Sequence, residues 1–370
     1  MLHSAAKFCH LNRKNQMKFS KVALFVSLVF SGASFAQDVA IVGNIKQTVH
    51  VPVSSQQAKT TAQFVNKKIT LLKIQLSDKV REAINLRSEQ NAQENTDSLV
   101  NGEETSSIQL GMNSVPVLDQ GGHGTCATFA NTAAVGAVIN KGDYVSQLCH
   151  LQLGRYIENS GYNPSGWSGS LGRIVLSQMD AYGLVSTQNQ KTQGCGGLNA
   201  YPLYGSDPLT AMLPTDFRAN SESLEDYGVA WSPILDIYQF FVDHTNTTKT
   251  LEDVKSSLRL GDRVTFAVLL PDYHLGVVGA VGRNHMRNDT WVLTPEIERD
   301  IPTAEAAHEL IITGYDDNAV VNDDQGREYK GILTLRNSWG TNIGDKGDFY
   351  MTYDYFKALV IEAQRIRHLG

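Results

Sequence analysis

The chain has 370 residues, 42% of them hydrophobic and 19% charged, a make-up suited to one sizeable globular domain with accessory segments. A formal net charge of −6, with no basic tract and no aromatic residues set among lysines, excludes nucleic acid as an expected partner.

Residues Met17 to Gln37 begin Met-Lys-Phe-Ser-Lys, pass through the apolar run Val22 to Phe30 and reach small residues before Gln37. A basic start, a short hydrophobic core and small residues at the end predict a secretory signal peptide cut after Ala36. The run is too short to remain as an anchor, and no other stretch reaches about 18 apolar residues, so no membrane partner is expected after cleavage. Residues 1 to 16 suit an elongated leader or a start assigned too early at Met1; the second reading is preferred, with Met17 as the start. Export places the product in the periplasm or outside the cell, where disulfides persist.

From Gln37 to about Leu110 the composition changes. Asp38 to Val53 is rich in β-branched residues, and Gly43-Asn44 or a nearby pair is expected to turn it into a hairpin. Val65, Ile69, Leu72, Leu76, Val80 and Ala83 then recur at spacings of three and four, which predicts one amphipathic helix whose apolar stripe needs a covering surface. Ser88 to Ser107 is polar throughout and reads as an exposed linker.

Val115 to Ala130 carries the densest signal. An extended run with a proline passes a corner holding Gly121, Gly122 and Gly124, and enters the alanine-rich stretch Cys126 to Asn140, expected to be a helix closed by Gly142. Cys126 thereby falls in a helix's first turn, where free N–H groups and the helix dipole favour a thiolate. Across the corner, the Gln120 side-chain amide could share an oxyanion with the backbone N–H of Cys126. In the last quarter, His308 heads the apolar strand Ala307 to Tyr315, and Asn337 ends Gly331 to Asn337, ahead of Trp339. Paired strands would set the two side chains side by side, the asparagine orienting the imidazole and Trp339 covering the contact from water. The acidic stretch Asp316 to Glu328 lacks the calcium-loop pattern and is expected to be a solvated hairpin tip; no metal or organic cofactor is implied.

With these residues in place the chain resembles the papain family of cysteine peptidases over about residues 111 to 360. The resemblance implies an α+β fold of two lobes, helical and β-barrel-like, with the active-site cleft between them. It assigns the nucleophile to Cys126, the general acid and base to His308, the orienting amide to Asn337 and the oxyanion-hole amide to Gln120. Leu251 to Leu269 is similar to the family's crossover helix and following strand, and Gly340 to Tyr350 to its post-asparagine turn. Gly161 to Ser170 stands where a glycine loop runs along the cleft, which makes Gly166 and Gly169 candidates for substrate binding beside Trp339. The resemblance also implies a disulfide between Cys149 and Cys195. Where the family carries a cysteine and a tryptophan around the nucleophile, this chain has His123 and Ala127; His123 is expected to face solvent. No counterpart exists for 206–249, whose apolar cluster Trp231 to Phe241 suggests an added helix or lid.

The expected organisation is a leader over 1–36, a propeptide over 37–110 and a catalytic domain over 111–370. Papain-like enzymes are generally made with an inhibitory propeptide, which favours that reading of 37–110 over a docking or dimerisation module. The expected function is a secreted zymogen hydrolysing protein or peptide substrates through a thioester, with its own propeptide as intramolecular inhibitor. Alternatives are another thiol acyl-transfer enzyme of transpeptidase or transglutaminase type, and a silent binding protein on the same fold.

Overall fold

The computed structural model describes residues 38–52, 64–94, 106–237, 246–272, 289–323 and 325–370. The leader, 95–105 of the expected linker, and Tyr238, Phe240 and Phe241 of the apolar cluster lie outside the described residues.

The N-terminal segment differs from the sequence expectation. Val39–Pro52 (β1) and Phe64–Leu76 (β2) form a long antiparallel pair, and Asp78–Glu94 (α1) follows. Gly43-Asn44 is not a turn: β1 runs straight through it, with a register shift between Ile41 and Gly43. The expected helix over Val65 to Ala83 is a strand up to Leu76. Positions 72 and 76 satisfy a two-residue period as well as a helical one, and here Leu72, Ile74 and Leu76 are buried, as are Ile69 and Leu71. β-Branched Ile69, Thr70 and Ile74 favour that outcome once a neighbouring strand is available. Ser77 ends the strand by bonding Asp38, and α1 starts with Asp78 in its first turn, the favourable end for a carboxylate. Ser88 to Glu94, expected as linker, belongs to α1.

After Ser107–Gln109 (β3) the helical lobe is built from Cys126–Val138 (α2), Gln147–Asn159 (α3), Gly172–Tyr182 (α4) and the shorter Thr187–Gln193 (α5) and Pro214–Ala219 (α6), with the small pair Leu184–Val185 (β4) and Ser221–Glu222 (β5). Alanine and glycine let α2 be buried on nearly every side. It closes at Asn140, which adopts φ +55 before Gly142 at φ +66. Cys149 and Cys195 form a disulfide, Cα atoms 5.0 Å apart, joining α3 to the segment after α5.

The sheet lobe contains Val229–Leu235 (β6), Thr247–Arg259 (α7), Arg263–Leu269 (β7), Thr290–Trp291 (β8), Pro295–Asp300 (α8), Ala306–Asn322 (β9), Glu328–Arg336 (β10), Asp348–Thr352 (β11), Tyr353–Leu359 (α9) and Val360–His368 (β12). The sheet order is β6-β12-β7-β9-β10-β11-β8. The apolar cluster at Trp231 is therefore strand β6, paired with β12, and not a helix over those residues. Strand β9 is the spine, because β7, β10, β3 and β2 all pair with it. Among the described residues no helix is long and apolar enough to cross a membrane.

Candidate active site

Three local structures bring the expected residues to one place. Cys126 is the first residue of α2, whose N-cap Thr125 makes no side-chain capping bond, so the first N–H groups of the helix are not used by its cap. His308 lies on β9 opposite Val268 of β7, and Asn337 follows the last residue of β10. The pairing of β9 with β10 sets His308 Nε2 2.8 Å from Asn337 Oδ1, which also accepts from the Ser338 N–H at 2.7 Å. Trp339 stacks on His308 at 4.4 Å between ring centroids and is itself enclosed by Trp291 and Phe349. It covers the imidazole and, being buried, offers no face to a substrate in this state.

With Nε2 engaged, Nδ1 of His308 is left over, and it has no hydrogen-bond partner among the described residues. Cys126 lies against the backbone N–H of Glu309. Burial, then the nearby Glu309 carboxyl, pushes the thiol up to about 12, and burial pulls His308 down to about 4. Both groups are thus neutral near pH 7. The thiolate expected from the helix terminus does not form here, because complete desolvation outweighs a dipole effect of about 1 kcal/mol.

Cys126 shares one apolar cluster with Ile69, Leu71 and Leu72 of the N-terminal hairpin. The Gln120 side-chain amide donates to the Thr70 carbonyl of β2 at 3.1 Å and to His123 O at 2.9 Å, while its Oε1 accepts from Ser338 Oγ at 2.8 Å. β2 continues beside the imidazole, pairing Leu72 with Ala307 and Lys73 with Ala306. Lys67 bonds Asp119 at 2.7 Å, and Asn44 of β1 sits against Gly124, donating to the Ser168 carbonyl at 3.3 Å in the amide orientation that satisfies both its atoms. A side chain at Gly169 would come within 2.8 Å of Ile41 and 2.9 Å of Leu72, so Gly169 lies under the hairpin. Gly166 faces Thr128 and Leu151 inside the helical lobe instead.

His123 does not face solvent. It is buried, its Nδ1 2.6 Å from Asp207 Oδ1 and its ring edge-on to Trp167 and Tyr201. The carboxylate comes from the segment between α5 and α6, a long-range partner that no local pattern announces. Thr70, Ser338 and Glu309 also go unrecognised in the sequence. Ser338 has a signal in its place beside Asn337; the other two depend on which strands meet.

A helical lobe presenting a cysteine at a helix start to a sheet lobe presenting histidine and asparagine is the papain-like α+β arrangement. No protein-family model matches the chain, and no curated protein matches its sequence. Solved structures of papain-family cysteine proteases are similar to it. Xylellain, a cysteine protease from Xylella fastidiosa, is 20% identical with a TM-score of 0.44, over 72% of this chain and 87% of that one. The clostridial cysteine protease Cwp84, in a form after propeptide cleavage, is 19% identical with a TM-score of 0.48, over 72% and 58%. A Carica candamarcensis cysteine protease in complex with E-64 is 14% identical with a TM-score of 0.43, over 72% and 100%. At these identities the likeness is one of fold.

Proposed function

We propose that the chain is an exported cysteine peptidase held latent by its N-terminal hairpin. The observation that carries the reading is the Thr70 carbonyl on the Gln120 amide: a peptide carbonyl of the chain's own segment occupies the donor that an oxyanion would need. The neighbouring pairing of β2 with β9 supports it, since an extended peptide is bound there as an added strand.

In the open cleft, Cys126 gives its proton to His308 and attacks the scissile carbonyl. Gln120 and the Cys126 N–H hold the oxyanion, and His308 returns the proton to the leaving amine. Water then adds to the thioester with His308 as base, releasing the acid and restoring the thiol. Asn337 fixes the imidazole through Nε2, so that Nδ1 does this work. Residues 37–110 act as the propeptide, and the leader sends the protein to an oxidising compartment, which the Cys149–Cys195 bond suits.

The test is labelling with a thiol-directed peptidyl epoxide, mapped by mass spectrometry, on the intact chain and on chain nicked between α1 and β3. The reading predicts modification at Cys126 that is slow when intact and fast when nicked, together with peptide hydrolysis. A nicked chain that neither labels at Cys126 nor hydrolyses peptides would leave the silent binding protein as the answer. Acyl transfer to amines outrunning hydrolysis would mark a transferase.

A further inference from the structure

Next to His308 on β9, Glu309 carries a carboxyl group that the mechanism above does not use. It is buried, and it meets the helical lobe at two points. Its Oε1 accepts from Asn131 Nδ2 of α2 at 2.5 Å, and the same amide nitrogen donates to Ala127 O at 2.8 Å; Thr265 of β7 holds Asn131 Oδ1 at 2.8 Å. The first residue of α4 is the second point. Gly172 N donates to Glu362 Oε1 of β12 at 2.7 Å, and a Cβ at Gly172 would stand 2.3 Å from Glu309 Oε1. Two carboxyl groups thus converge on one helix start. Glu309 Oε2 has no hydrogen-bond partner among the described residues.

A buried oxygen without a donor is tolerable on a carboxylic acid and costly on a carboxylate. The charged groups around the pair are few. Arg173 and Asp236, paired at 3.4 Å, flank Glu362, and Arg336, bonded to Asp348, lines a small cavity that Glu309 also lines. Burial and then repulsion from Glu362 raise Glu309 well above the carboxylate range, and burial raises Glu362 as well. Meanwhile the Glu309 N–H lies against the Cys126 sulfur, and its carboxyl, when charged, raises that thiol further after burial.

Resting on the peptidase reading, we propose that Glu309 is a positioning residue for the nucleophile. Protonated and set beside Glu362, it joins the first turn of α2 to the sheet lobe and keeps negative charge away from Cys126; ionised, it disfavours the thiolate. The enzyme is thereby tuned to the acid side of neutral.

The test is the rate of Cys126 alkylation by iodoacetamide as a function of pH, in the full chain, for the wild type and Glu309→Gln. Glutamine mimics the protonated acid. The two rates should agree near pH 5.5 and diverge as pH rises, the variant becoming about tenfold faster by pH 9, as expected for removal of one nearby like charge. A purely structural role would give a ratio that does not change with pH, and such a ratio, whatever its size, overturns the proposal. Glu362→Gln gives a second arm. It removes the repulsion that keeps Glu309 protonated, so its curve should bend below the Glu309→Gln curve at a lower pH than wild type does; a bend at the same pH or higher overturns the proposal as well. Alkylation needs no turnover, so a chain that follows this pattern yet hydrolyses no peptide would sink the peptidase reading and leave this inference standing.

Discussion

The hairpin grips the two lobes by different means. On the sheet lobe it shares one apolar core: Ile69, Leu71, Leu72 and Ile74 are buried with Phe266, Leu310 and Phe356, and α1 is tied down where Arg87 donates to Val360 O at 3.0 Å. On the helical lobe it rests on an amide in a glycine notch at Gly124, aliphatic contacts over Gly169, one ion pair at Asp119 and the Gln120–Thr70 bond. Burying an aliphatic side chain contributes about 1.5–3 kcal/mol, whereas a part-exposed ion pair contributes about 0–1. The hairpin is therefore a strand pair of the sheet lobe that also touches the helical lobe, and its weaker contact is the one at Gln120, Gly124 and Gly169.

That contrast has meaning only if the covered groups are chemical. Cys126→Ala in the nicked chain is expected to lower the hydrolysis of a fluorogenic peptide by at least about a thousandfold, with His308→Ala close behind and Asn337→Ala milder, since orienting a base matters less than being one. Near-wild-type turnover in Cys126→Ala would break the account.

The helical lobe adds a covalent tie to its own apolar clusters, one of them around Phe129, Leu148, Trp167 and Phe217. Replacing both Cys149 and Cys195 by serine opens a 46-residue loop and should cost on the order of 3–4 kcal/mol on the chain-entropy model, read as a lower midpoint in thermal unfolding.

Acid sharpens the same difference. His150 of α3 is buried against Phe217 with neither ring nitrogen partnered among the described residues, and burial lowers it to about 3. The unfolded chain takes up that proton near pH 6.5 and the folded one does not, so stability is present above 6.5 and falls as pH drops toward 3. His308, at about 4, adds to the loss. His150→Phe should recover on the order of 1–3 kcal/mol at pH 4 relative to pH 7, measured by urea unfolding at both; an equal change in both proteins would show that His150 is not a source of it. The smallest expected effect is Lys67→Ala, at about 0–1 kcal/mol, because the ion pair is part-exposed.

The corner around Cys126 is readable because its signals are local. Glycines at 121, 122 and 124, an alanine-rich run and a cysteine at its head specify a turn and a buried helix whatever surrounds them. The same holds for His308 and Asn337, each at a strand end that its own apolar run marks. The N-terminal segment misleads because its outcome depends on partners: Leu72 and Leu76 fit both periods, and pairing with β1 along its length and with β9 at Ala306 and Ala307 decides for a strand. His123 shows the same limit, since Asp207 is 84 residues away. Nor does sequence tell the charge state of Cys126, at which burial opposes the helix dipole.

The central claim is that the hairpin keeps the cysteine idle by lying across it. The direct measurement is the rate at which iodoacetamide alkylates Cys126 in the full chain, compared with the same chain carrying Leu72→Ala. Leu72 is 2% exposed and packs beside both Ala307 and Gly169, so its truncation should weaken the hairpin's hold by about 2–5 kcal/mol without touching a catalytic group. The account predicts alkylation at least tenfold faster in the variant, together with a rise in peptide hydrolysis. Equal alkylation rates in two folded proteins would contradict it.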